Sequence, residues 1–147
     1  MKHTKQLSIL IVLALLAGCA GANHGAVKVA IKPETTFAKN ASITVVPDGG
    51  DELGAQGKLE RLLVKRGFQV IPPPATEITV DKLKSDYLFQ FQYENDPDGD
   101  PNILERFGGT VIDVSEGHVV ASLNFSGKRP LDTVLEQCAD KLAAAMQ

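Results

Sequence analysis

Two stretches of this 147-residue chain carry residue types and spacings that could do chemistry. The first is "DPDGDP", residues 96–101, which sets Asp96, Asp98 and Asp100 at alternate positions. Calcium loops place their first three oxygen ligands at that spacing, then turn on a glycine at position 6 and close with a glutamate at position 12. Here position 6 is Pro101 and position 12 is Phe107, and the loop's glycine, Gly99, falls at position 4. The stretch is therefore read as an acidic connecting loop, with capture of a cation or small ligand at 96–101 as the alternative. The second is "PDGGDELGAQGK", residues 47–58, placed between a strand and a helix where a phosphate loop would sit. Counting back from Gly57-Lys58, the first P-loop glycine should be residue 52, which is Glu52, and the following Ser or Thr should be residue 59, which is Leu59. Asp48, Asp51 and Glu52 would also repel phosphate. This is a flexible loop with Asp51 positioned to cap the next helix.

The remaining candidates are sparser. His24 and His118 have no neighbouring ligand in sequence, and Asp113 and Glu116 flank a turn rather than forming a catalytic pair. Cys138 recurs with Val134, Leu135, Leu142 and Ala145 at helical spacing, which predicts a small buried hydrophobe. Cys19 is different. Lys2 and Lys5 precede an apolar run, Leu7–Ala17, too short to span a bilayer. Positive charge, a short apolar core and small residues describe a secretory signal. Its ending, Leu16-Ala17-Gly18-Cys19, resembles the lipobox of bacterial lipoproteins. That resemblance implies acylation of Cys19, including palmitate, and cleavage just before it. Ala20 stands where an aspartate tends to retain such proteins at the inner membrane, so the expected site is the outer membrane, facing the periplasm.

Loss of residues 1–18 takes two of the fifteen Lys+Arg and none of the eighteen Asp+Glu, which leaves a formal charge of −5. An acidic chain without a basic run speaks against nucleic acid. The expected partners are the membrane, through the anchor, and an envelope protein or further copies of this chain. Residues 19–25 form a short tether and 26–147 a single domain. Neither catalytic, cofactor-binding nor metal-ligating residues are assigned, and no cofactor is expected.

Alternation predicts a strand over 27–31, ended by Pro33, and another over 42–46. A helix follows from about Leu53 to Arg66, with Gly67 suited to its C-terminal turn. "FQVI", 68–71, is a strand stopped by Pro72–Pro74, and 79–85 holds a short helical turn. In "YLFQFQY", 87–93, Tyr87, Phe89, Phe91 and Tyr93 share one face while Leu88, Gln90 and Gln92 share the other. Strands 109–114 and 118–125 form a hairpin across Ser-Glu-Gly, and a last helix starts at Pro130 or at Thr133. The order predicts an α/β (α+β) fold, a two-layer sandwich with a mixed sheet and two main helices packed on one face. The link from 42–46 through the helix to 68–71 should be a right-handed parallel crossover, and the last three strands an antiparallel meander.

"ITVVP", "LLVKRGFQVI", "SDYLFQFQ", "GTVIDVSEGHVVAS" and "VLEQCADKL" resemble, in pattern, small envelope domains similar to the N-terminal domain of TolB. Related domains occur in the curli secretion lipoprotein CsgG and in cell-wall synthase activators such as LpoB. The resemblance covers most of 42–146 and implies binding, scaffolding or pore formation rather than catalysis. The expectation is a non-enzymatic, lipid-anchored envelope protein acting as an interaction or accessory module. A hydrolase would need a convergent polar pocket.

Overall fold

The computed structural model describes residues 25–33 and 35–147. The signal segment, Cys19 and the tether as far as His24 lie outside the described residues. Six strands make one mixed sheet: β1 (Lys28–Ile31), β2 (Ser42–Pro47), β3 (Gln69–Val70), β4 (Tyr87–Asn95), β5 (Ile103–Asp113) and β6 (His118–Pro130). Among the described residues two helices, α1 (Ala55–Lys65) and α2 (Leu131–Ala143), pack on this sheet and give an α+β fold. The strand order is β1-β6-β5-β4-β2-β3. β4, β5 and β6 form the expected antiparallel meander, β1 joins β6 antiparallel, and β2 runs parallel to both β3 and β4.

Both helices cover the face that carries Phe89, Phe91, Val111 and Leu123, and all four side chains are buried. α1 contributes Ala55, Leu59 and Leu63, and α2 contributes Val134, Leu135, Cys138 and Leu142. Lys58 pairs with Asp132 and Arg66 with Asp140, start to start and end to end, so the helices lie side by side in the same direction. α1 starts where Asp51 accepts hydrogen bonds from the amides of Ala55 and Gln56, at 2.7 and 2.9 Å. It stops at Gly67, whose φ of 97° lets the Phe68 amide reach Leu63 and the Gly67 amide reach Val64.

β2 lies between β3 and β4, so the two parallel connections step across it in opposite directions. Right-handed crossovers then fall on opposite faces. α1 covers one face. Residues 71–86 cover the other, where Thr44 Oγ1 donates to the Ile71 carbonyl at 2.9 Å and shares a hydrogen bond with the Ser85 hydroxyl at 2.8 Å. Under this cover Thr44, Val46 and Leu88 are buried. Leu88 is therefore interior, not part of an open face, which corrects the sequence reading.

The strand ends differ as well. β5 starts at Ile103 rather than at 109, and β6 runs to Pro130 rather than to 125. Glu105, Arg106 and the Gly108-Gly109 pair break the apolar alternation. Pairing on both sides with β4 and β6 nevertheless holds them in the sheet, with register shifts near Leu104 and Val111. β3 is confined to two residues, and the helical turn near 80 is a single 3-10 turn, Val80–Lys82.

Candidate functional site

The face of the sheet that the helices leave open is polar over β4, β5, β6 and β1. The pairing aligns Gln90, Thr110, Ser122 and Ala30 in one row and Gln92, Gly108, Asn124 and Lys28 in the next. A third row places Glu94 beside Arg106, 3.5 Å apart, with Ser126 next to it. Gly108 lacks a side chain, so the second row dips. An open groove of about 620 Å³ runs there, bordered by Lys28, Gln92, Arg106, Asn124 and Ser126. The amides and hydroxyls of these rows offer hydrogen bonds, and Lys28, Glu94 and Arg106 add charge. The alternation in "YLFQFQY" identified Gln90 and Gln92, and the strand pairing brings Thr110, Ser122 and Asn124 onto the same face. The groove's charged end lies on the part of β5 that sequence reasoning left as loop.

The opposite face holds this floor rigid. A Cβ on Gly109 would sit 2.5 Å from the Phe89 ring, so only glycine lets that ring lie over β5. Phe91 stacks on Phe107 at 5.8 Å between centroids. Tyr93 reaches beyond the core: its hydroxyl donates to Asp51 at 3.1 Å and accepts from the Leu53 amide at 3.0 Å. Burial raises its phenol pKa, and the Asp51 carboxylate raises it further. Tyr93 thus ties the end of β4 to the start of α1, and no local pattern announced that link. Phe37, in the segment after β1, went equally unannounced. It is buried, packs edge-on to Tyr87 at 4.9 Å and bridges Met146 near the C-terminus.

The carboxylates of residues 96–101 do not converge. Asp96 pairs with Lys128 at 2.7 Å and accepts the Asp98 amide, while Asp100 accepts the backbone and side-chain amides of Asn102. Lys128 holds the Asp96 carboxyl below its ordinary range. Among the described residues, no group of three or more His, Cys, Asp or Glu side chains could hold a metal ion. Gly54 rather than Asp51 is the N-cap residue of α1, and Asp51, three residues ahead of it, supplies the carboxylate that accepts the first helical amides. Asp113 accepts the Ser115 amide and hydroxyl and the Glu116 amide, closing the β5–β6 turn on itself. His118 is half-buried with its Nδ1 3.0 Å from Glu116 and its Nε2 3.1 Å from the Lys32 ammonium, partners the sequence did not reveal. Cys138 is fully buried on α2, and desolvation drives its thiol pKa far upward, so it stays a neutral hydrophobe. No helix among the described residues is long and apolar enough to cross a membrane.

No protein-family model matches the sequence, and no curated protein matches it. Solved structures do share the fold. A leucine-to-methionine variant of PelC from Paraburkholderia phytofirmans, a dodecamer, superposes with a TM-score of 0.55 at 20% identity, over 84% of this chain and 99% of that one. A second PelC dodecamer from the same organism gives a TM-score of 0.53 at 18% identity over the same shares. At that identity the likeness establishes a common fold, and these two structures are dodecamers.

Proposed function

We propose that this chain is a non-enzymatic, lipid-anchored protein of the bacterial cell envelope. Acyl chains on Cys19 hold it in the outer membrane facing the periplasm, and it acts as an accessory module by associating with copies of itself. The observation that carries this reading is the fold shared with PelC dodecamers over 84% of the chain. The sequence supplies the address, Leu16-Ala17-Gly18-Cys19 ahead of a tether of small and polar residues. Several acyl chains on one residue give stable anchoring, since each buried CH₂ contributes about 0.8 kcal/mol. The groove supports a binding role too, because its amides and hydroxyls, with Lys28, Glu94 and Arg106 beside them, can hold a partner.

Two measurements test the reading. Cys19→Ser should abolish incorporation of labelled palmitate in a bacterial host and leave an unprocessed or soluble product. Unchanged processing and membrane fractionation in that variant would remove the anchor. Sedimentation velocity on the full chain in detergent should show one large species in exchange with monomer. A monomer at every accessible concentration would remove self-association.

A further inference from the structure

We propose that the groove over Gly108 holds the headgroup of an amine-bearing phospholipid, with the phosphate between Lys28 and Arg106 and the ammonium against Glu94. This rests on the lipid anchor proposed above and gives the anchored domain a contact with its own membrane.

Gly108 stands in the middle of the second polar row, with Gln92 on the strand to one side and Asn124 on the strand to the other. A Cβ built on Gly108 meets only the Gln92 side chain, at 3.9 and 4.0 Å, so the missing side chain leaves open space rather than a packing contact. Among the described residues nothing fills it, and a ligand can settle against the backbone of β5. The surroundings carry both signs of charge. Lys28 ends the same row on β1, and Arg106 precedes Gly108 on the same face of β5. Glu94 lies 3.5 Å from Arg106, and their side chains are 65% and 71% exposed. An ion pair that long and that wet contributes little by itself, so both partners keep bonding capacity for a ligand.

The position of the groove selects the ligand. Ala26 borders it, and Gly25 is buried against Gly127 of β6. Residues 19–24 separate that point from the acylated Cys19. At about 3.5 Å per residue they span at most roughly 20 Å, which keeps the groove that close to the bilayer surface. Tethering makes headgroups the ligands at the highest effective concentration there, so even a weak contact is populated. Arginine and lysine match the phosphate, and Gln92, Asn124 and Ser126 add neutral donors. A purely anionic headgroup would set its charge beside Glu94. One that also carries an ammonium on a short arm satisfies Glu94 as well.

The test titrates the full chain in maltoside detergent with dihexanoyl phosphatidylethanolamine, dihexanoyl phosphatidylglycerol and free O-phosphoethanolamine, and reads dissociation constants by calorimetry. The ethanolamine lipid should bind about tenfold or more tightly than the glycerol lipid. Gly108→Leu, which fills the gap, and Arg106→Gln should each weaken it about tenfold or more, and Glu94→Gln should bring the two lipids within about threefold. A wild-type chain that binds neither lipid or both equally overturns the inference, as do Gly108→Leu and Arg106→Gln variants that bind like wild type. Free O-phosphoethanolamine binding more tightly than the lipid makes a soluble ligand the occupant and overturns the bilayer as its source. Melting curves report whether each variant folds. Should Gly108→Leu not, Lys28→Gln takes its place, with the same loss expected. The titration does not depend on acylation. An unacylated Cys19 overturns the anchor, and a failed titration overturns the headgroup contact alone.

Discussion

The hydroxyl of Ser115 does most to hold the Asp113 carboxyl below its ordinary range, with the Glu116 and Ser115 amides assisting against the cost of burial. Lys128 and the Asp98 amide do the same for Asp96. Both groups bind protons less readily folded than unfolded. Their contribution to stability is thus complete above the ordinary carboxyl value of 3.8 and is lost as pH falls through the depressed folded values. The urea midpoint of the wild-type chain should drop on acidification below about pH 4. In a chain carrying Asp96→Asn and Asp113→Asn, that drop should be shallower. An unchanged slope would place the acid sensitivity on other carboxylates. At this scale residue type told much: Asp51 was legible as the carboxylate serving α1 because a short carboxylate ahead of a helix has amides to accept. His118 was not legible, because its partner Lys32 is distant in sequence and arrives only through the β1–β6 pairing.

The strand β4 shows what alternation can and cannot reveal. Its apolar side was readable, and Phe89 and Phe91 are fully buried as that reading requires. Phe89→Ala should destabilise the chain by about 3–5 kcal/mol, since it empties space that Gly109 cannot fill. Gln92→Lys, on the exposed side, should leave the melting temperature nearly unchanged. Equal losses from both, measured by thermal melts, would mean that the open face is covered in solution by something other than water. The first half of β5 escaped the same reading. Glu105, Arg106 and Gly108 have neither strand propensity nor apolar period, and neighbouring strands on both sides impose their conformation. Leu88 escaped because a one-sided view of β4 has no knowledge of what later crosses β2.

For the molecule as a whole, the sequence order of elements was enough to set fold class, the parallel crossover and the meander. It was not enough to place β1 at the far edge beside β6, a pairing between residues nearly a hundred positions apart that local pattern does not encode. Among the described residues, nothing pairs with the edge that results. The double cover over β2 has a further consequence, for when parts of the sheet open. Ile43, Thr44, Val45 and Val46 are buried on both sides, under α1 and under the 71–86 crossover. Their amides can meet solvent only when both covers leave, which amounts to unfolding the domain. Among the described residues, β6 lies under α2 on one side and is open on the other, and β1 has a single partner strand. Hydrogen exchange should therefore be slowest over 43–46, at a rate set by global unfolding, and much faster over 28–31, where local fraying suffices. Comparable protection in a monomeric sample would remove this gradient. With it, the sheet is a plate bolted at β2 and loose at β1, and the loose margin can move without loosening the core.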